Sequence, residues 1–548
     1  MIRPSHSPPR SDASLRLTVD RNPQSAPTAS FNESCSDKTQ GCVSTAFLAA
    51  LAAGLLLATG CAQRPAASAG SYAVIAPQST EADIIRQAAR VVPAPRQLRW
   101  QQLELTAFFH FGVNTFTNRE WGTGKESSQI FNPTQLDARQ WVRVAKEAGI
   151  KQVILTAKHH DGFCLWPSKD TEHSVKNSPW KNGHGDVVRE VADACRAEGV
   201  GFGIYLSPWD MNSPLYGTPA YNDFFINQLT ELLTNYGQVD EVWFDGANGE
   251  GPNGKKQEYD FARWYAHIRK LQPQATIAVM GPDVRWVGTE TGYGRETEWS
   301  VVPADNLDQA TVAAGSQQAV AFKPQGDMRG AVLGGREQLR NAKGLAWYPA
   351  ETDVSIRPGW FYHPAENDQV KSPEKLLDIY YNSVGRNGVL LLNIPPDTRG
   401  LIHDSDVRAL QGWKKLRDET FTQNLAAGAR VQAPGRRPQA LLDGKYNTYW
   451  TTSGRDTAAV LELTLPESRT FDVLLLQENI AVGQRIERFA LEVQQQGQWQ
   501  PVAEGTTVGY KRLLRFAPVT ASKVRLRILS SRLNPTLSEL GLYKGPTN

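Results

Sequence analysis

The chain has 548 residues, a formal net charge of +3, and 40% hydrophobic against 21% charged residues. This is the balance of a folded globular protein long enough for two or three domains, and it carries no basic footprint for nucleic acid. Tryptophan is nearly as common as tyrosine, 15 against 16, and its flat apolar face with one N–H donor suits a sugar ring as well as a large core.

Residues 1 to 44 are polar and rich in Ser, Pro and Arg, and read as a disordered leader. The stretch "STAFLAALAAGLLLATGC" follows. Its apolar run from Ala46 to Ala58 has the length of a signal-peptide core and is short for a membrane span. Thr59-Gly60-Cys61 resembles a bacterial lipoprotein cleavage site. The expectation is export across the inner membrane and a periplasmic or outer-membrane lipoprotein, touching the membrane only through a lipid on Cys61. The next stretch, "AQRPAASAGSYAVIAPQS", reads as a flexible tether. Residues 1–80 are therefore set apart from the fold.

From about residue 100 strands and helices alternate. "LTAFFHFGVNTF", "QVILTAKHHDGF", "GFGIYLSPWD", "VDEVWFDGA", "TIAVMGPDVRW", "GLAWYPAETDVSI" and "GVLLLNIPPD" each read as an apolar strand ending in polar residues. Amphipathic segments such as "LDARQWVRVAKEAGI" and "DVVREVADACRAEGV" separate the early ones. Cys195 in the latter shares a helical face with Val188 and Val191 and reads as a core thiol. Neither it nor Cys164 has the spacing of a metal or disulfide framework. This alternation predicts a (β/α)8-type barrel over residues 81–424, closed by the helix "DSDVRALQGWKKLRDETF". A doubly wound open sheet is the second choice, but no glycine-rich phosphate fingerprint follows the first strand. Residues 425–548 change character: short alternating strands without helices predict an all-β sandwich.

His110, His159, His160, Asp161, Tyr205, Trp209, Asp245 and Trp286 all fall at or just past C-terminal strand tips, where such barrels build their active sites. Asp245 closes the run "EVWFDGANG" and could equally cap the next helix; convergence of the other tips favours a functional carboxylate. Cleaving a glycosidic bond takes two carboxyl groups. The residues alone leave the partner of Asp245 open among Glu290, Glu296, Glu298, Glu120 and Glu126.

Taken together, "FHFG", "EWG", "AKHHDGF", "GIYLSPW" and "VWFDGANG" resemble the α-L-fucosidases of glycoside hydrolase family 29, in the family's order, over residues 100 to 400. The resemblance implies a retaining exo-enzyme with Asp245 as nucleophile. "RWVGTETG" resembles the segment carrying the acid/base glutamate in the subgroup acting on α-1,3 and α-1,4 fucosyl branches, which implies Glu290 in that role. The familiar form has Asn before the glutamate; here it is Thr289. The resemblance also implies sugar contacts from His110, Glu120, Trp121, His159, Tyr205 and Trp286. Residue chemistry adds His160 as a hydroxyl partner and Trp209 as an apolar wall. Neighbouring strand residues point to opposite faces, so His159 and His160 are not expected to share a metal ion. The predicted partners are fucosylated oligosaccharides or glycoconjugates, with no catalytic cofactor.

The C-terminal segment resembles discoidin-type domains, which include family 32 carbohydrate-binding modules. "ALLDGKYNTYWTT" is its clearest marker. Asp443, Asn447 and nearby carbonyls resemble a structural calcium loop, and Trp450 reads as core. The competing readings are a non-catalytic glycan-binding lipoprotein and a glycosidase for another sugar or linkage.

Overall fold

The computed structural model describes residues 70–304 and 332–546. The leader, the apolar segment and Cys61 lie outside them.

Eight parallel strands form the first domain: β1 (Leu105–Phe109), β2 (Gln152–Lys158), β3 (Gly201–Leu206), β4 (Glu241–Phe244), β5 (Thr276–Val279), β6 (Arg285–Trp286), β7 (Ala350–Ser355) and β8 (Val389–Asn393). Their order is β5-β4-β3-β2-β1-β8-β7-β6. A parallel bridge between Ala278 and Val284 brings the two edges together, so the sheet nearly closes into a barrel. The strands are buried almost throughout. Helices cover one face and packed side chains fill the other, which is why they read as continuous apolar runs. Aspartates start three of the helices: Asp137, Asp186 and Asp260 each accept a backbone N–H three residues on. Cys195 is buried beside Val188 and Val191.

Four segments depart from their sequence reading. The first predicted strand stops at Phe109, and Val113–Thr117 is a short helix. "TIAVMGPDVRW" is two strands, because Asp283 folds back to accept Ile277 N at 2.8 Å and the chain turns through Gly281 and Pro282. "GLAWYPAETDVSI" divides at Tyr348-Pro349: Gly344–Trp347 joins a small antiparallel sheet, and only Ala350–Ser355 enters the barrel. The small sheet also takes Val301–Pro303 and Tyr72–Val74. The expected tether is thus ordered from Tyr72, because that strand finds an open edge on Gly344–Trp347. Among the described residues no helix is long and apolar enough to cross a membrane.

Helix Asp404–Phe421 closes the barrel. Beyond it lies an antiparallel sheet of seven strands. The predicted short strands are joined in pairs: Ala459–Glu478 and Arg512–Ser531 each run 20 residues. Register breaks near Thr464 and Phe471 let them bend around one apolar core, as in a discoidin-like β-sandwich. Trp450 sits in that core, fully buried, its indole N–H donated to Pro434 O at 2.7 Å.

Candidate active site

A cavity of about 230 Å³ opens at the C-terminal ends of the barrel strands. Phe108 and Trp243 form its floor, Trp243 stacked on Tyr205 at 5.2 Å and anchored by its indole N–H to Glu351 Oε1 at 2.7 Å. His110, His159, His160 and Trp121 stand around it, with Trp360 from the loop after β7. Four carboxyl groups reach it, from Glu120, Asp245, Glu290 and Asp353, and none of the described residues lining it is Lys or Arg.

Asp245 is not a helix cap. Its Oδ1 accepts Ala247 N at 2.7 Å in a local turn, and the next helix begins only at Phe261 with its own cap, Asp260. Oδ2 accepts the Tyr205 hydroxyl at 3.1 Å, with His160 Nε2 at 3.8 Å. Burial and then the adjacent Asp245 push the Tyr205 phenol well above its usual range, so it stays a donor.

Hydrogen-bond partners fix two histidine tautomers. Asn393 Nδ2 donates to Ser355 Oγ and Trp360 O, so its Oδ1 is the atom facing His110 Nδ1 at 2.8 Å. His110 therefore carries its proton on Nδ1 and turns a bare Nε2 away. Ser207 gives its proton to Trp209 O, so His160 Nδ1 donates to Ser207 Oγ at 2.7 Å and its Nε2 is bare too. Burial, with His160 close by, takes His110 down to about 3, and burial lowers His159 and His160 as well, so all three are neutral rings. Bare imidazole nitrogens beside carboxylates are an array of acceptors. Such a site binds a neutral ligand rich in hydroxyl donors and repels an anion.

Glu290 lies on the exposed lip, accepting Trp360 Nε1 at 3.3 Å. Of the carboxylates that were left open as partners for Asp245, Glu120 and Glu290 reach the cavity. Glu298 is buried against Arg285 and Arg295 instead, Glu296 is held toward Arg512, and Glu126 folds onto Thr123. Both oxygens of Glu120 take bonds from the Trp360 loop: Trp360 N at 2.7 Å, Phe361 N at 3.2 Å and His363 Nε2 at 2.6 Å.

Two predicted sugar-contacting residues stand behind the wall. Trp209 packs edge-on to Trp121 and beside His160, its indole N–H tied to Glu250 O at 3.0 Å, because Gly249 leaves space for the ring. Trp286 reaches the cavity only through Asp353, whose Oδ1 it bonds at 2.8 Å. Asp353 itself went unnoticed in the sequence, although it lies near the C-terminal end of β7, as Asp245 follows the end of β4. Burial first, then the nearby charges of Glu290 and Asp245, push its carboxyl up to about 7. Trp243 and Trp360 were also missed: one is interior to a strand, the other in an aperiodic loop.

In the C-terminal module, Asp443 accepts Lys445 N at 2.9 Å and the Thr448 hydroxyl at 2.6 Å. Glu539 faces it, pushed up to about 7 by burial and by the Asp443 charge. Two opposed carboxyls with neighbouring carbonyls are the hard oxygen donors calcium takes, so the chemistry fits such an ion. Asn447 is exposed beside them.

Residues 97–415 match the alpha-L-fucosidase family model and residues 420–539 the F5/8 type C domain. Alpha-L-fucosidase 1 of Arabidopsis thaliana is 45% identical over 465 residues, 82% of this chain and 87% of that one. A crystal structure from Bacteroides ovatus superposes with a TM-score of 0.78 at 50% identity, over 87% of this chain and 78% of its own. A Ruminococcus gnavus family 29 fucosidase solved in complex with fucose gives 0.74 at 34% identity, over 83% and 95%.

Proposed function

The chain belongs to the alpha-L-fucosidase family and is a glycoside hydrolase; from that premise we propose that it is a retaining exo-enzyme removing terminal α-1,3- or α-1,4-linked L-fucose by double displacement. The observation that carries this is the opening of Asp245 and Glu290 onto one cavity, both near enough to raise the carboxyl of Asp353. In the first step an Asp245 oxygen attacks the anomeric carbon while Glu290 gives its proton to the departing glycosidic oxygen. A fucosyl ester on Asp245 and a free acceptor sugar result. Glu290, now ionised, takes a proton from water, whose oxygen displaces Asp245 and releases fucose. Ala247 N and the Tyr205 hydroxyl hold the two oxygens of Asp245 in place before attack. The bare nitrogens of His110 and His160 accept ring hydroxyls. The preference for α-1,3/1,4 linkages rests on the likeness of "RWVGTETG" to the segment of that subgroup.

Digesting α-1,2-, α-1,3- and α-1,4-fucosylated oligosaccharides, with proton NMR of the first fucose released, tests both claims. The α-anomer should appear first, and the 1,3 and 1,4 linkages should be cut with the higher specificity constants. Initial β-fucose would refute retention, and equal constants would refute the linkage preference.

The proposal extends to both ends of the chain. Cys61 carries a lipid that holds the enzyme to the envelope, and mass spectrometry finding an unlipidated Cys61 in the native protein would remove that part. Asp443 and Glu539, with nearby backbone carbonyls, hold a structural calcium that offsets their mutual repulsion.

A further inference from the structure

Glu290 holds itself poorly. It is exposed, lies in a stretch without regular structure between β6 and Ser300, and among the described residues its carboxylate accepts one long bond. Ordering such a loop costs on the order of 1–2 kcal/mol per residue, so its position must come from anchors on the backbone around it. On the barrel side, Gly292 N donates to Asp353 O at 3.0 Å and Gly294 N to Asn382 O at 2.7 Å. Arg386 Nη1 donates to Gly294 O at 3.0 Å and Asn387 Nδ2 to Glu298 O at 3.2 Å, also from the barrel. A second set of anchors comes from the C-terminal module.

The turn between strands Gln498–Gly505 and Arg512–Ser531 lies along residues 296–300. Thr506 Oγ1 meets Thr297 Oγ1 at 2.9 Å and donates to Glu296 O at 3.1 Å. Thr507 Oγ1 accepts Glu298 N at 3.1 Å. Gln484 bonds the backbone on both sides of Trp299, accepting Ser300 N at 2.7 Å and donating to Glu298 O at 2.9 Å. Arg512 Nη1 donates to Glu296 O at 2.5 Å. Arg515 reaches nearer to Glu290: it pairs with Asp378 at 2.6 Å, and Asp378 accepts the Tyr293 hydroxyl at 2.6 Å. Thr507, Gln484 and Arg512 are almost completely buried, so these bonds are shielded from water. Glu298, gripped in this way, also pairs with Arg285 beside Trp286 on β6. The Glu290 loop is therefore fixed at both of its ends.

We propose that the module is a working part of the active site: Thr506, Thr507, Gln484, Arg512 and Arg515 are positioning residues that set where Glu290 delivers its proton. The inference rests on the assignment of Glu290 as acid/base. It predicts a signature that loss of folding does not give. Proton donation matters for a sugar leaving group and little for an activated phenol. The variant Thr506→Ala/Thr507→Val/Gln484→Leu should lose about 10-fold or more in kcat/KM on a fucosylated oligosaccharide, as small misplacements of catalytic groups do. On an activated aryl fucoside it should lose within about 3-fold.

Arg515→Met, at an exposed pair and so safe for folding, should show the same split more weakly. Glu492→Gln, whose partners Arg525 and Arg527 lie within the module, should show none. Equal losses on both substrates, or none on either, in the first two variants would overturn the proposal. Glu290→Gln is measured alongside. If it shows the split and the interface variants do not, only this inference falls; if it shows none, the acid/base assignment falls and takes the inference with it.

Discussion

The barrel rim and the core of the C-terminal module bury opposite kinds of residue. Around the cavity the chain buries three histidines, a tyrosine and the carboxyl of Asp353, and among the described residues leaves His159 Nδ1 without a hydrogen-bond partner. In the module the core is Leu, Val, Ile and Phe around Trp450. Three of its buried polar groups, Gln484, Thr507 and Arg512, lie where it meets the barrel, while others, such as Thr452 and Glu478, are bonded within the module itself. Buried polar groups lower stability unless they are paired, so their distribution shows where geometry matters more than stability. At the seam, that geometry is what the proposal above assigns to the catalytic apparatus.

The largest expected effect comes from changing charge at the rim without changing shape. Asp245→Asn keeps an oxygen to accept Ala247 N, turns an NH2 toward the Tyr205 hydroxyl oxygen, and cannot form the glycosyl ester. Turnover should fall by about 10⁴-fold or more, while the melting temperature stays close to the parent's. Turnover near the parent level would refute Asp245 as the nucleophile.

The converse change is Trp450→Ala in the module core. Removing a fully buried indole should lower stability by about 3–5 kcal/mol, read by calorimetry or denaturant melts. Both substrate classes should be cut normally while the variant is folded and the seam intact. A specific loss on oligosaccharides below the melting range would mean that the two regions are not separable in this way.

A smaller effect follows from Asp353. Its carboxyl titrates near 7 in the folded chain against 3.8 for an unperturbed aspartate. Protonated when folded, it contributes most below about pH 4, and that contribution is lost as pH rises through about 7. The protein should therefore lose on the order of 2 kcal/mol between pH 5 and 8 that Asp353→Asn does not lose. Parallel stability curves for the two proteins would contradict the assignment. The smallest effect is expected on chelation: with calcium at Asp443 and Glu539, EDTA should lower the module's melting temperature by a few degrees, about 1 kcal/mol, leaving fucose release unchanged. An Asp443→Ala protein as sensitive to EDTA as its parent would place the ion elsewhere or nowhere.

Much of this was legible in the sequence because parallel strands announce themselves twice, by an apolar run and by the polar residue that ends it. His110, His159, Tyr205 and Asp245 were found that way. Asp353 lies two residues inside the end of β7 and was hidden, because "GLAWYPAETDVSI" reads as one strand when it serves two sheets. Trp209 and Trp286 sit at strand tips without being among the residues that line the cavity, since a tip position fixes a neighbourhood and not a rotamer. Trp360 and the seam residues carry no periodic signal: Thr506 and Gln484 became interesting only once folding placed a distant loop against them.

The electrostatic character of the cavity has a consequence for inhibition. Four carboxyl groups and neutral imidazoles, with no Lys or Arg among the described lining residues, give a negative potential inside a low-dielectric well. A sugar mimic whose ring oxygen is replaced by a protonated amine would place its positive charge among Asp245, Glu290 and Asp353. It should bind more tightly than fucose itself, and increasingly so as pH rises and Asp353 ionises, until the amine loses its own proton. A sulfated or carboxylated sugar of the same shape meets the reverse field and should be turned away without any steric barrier.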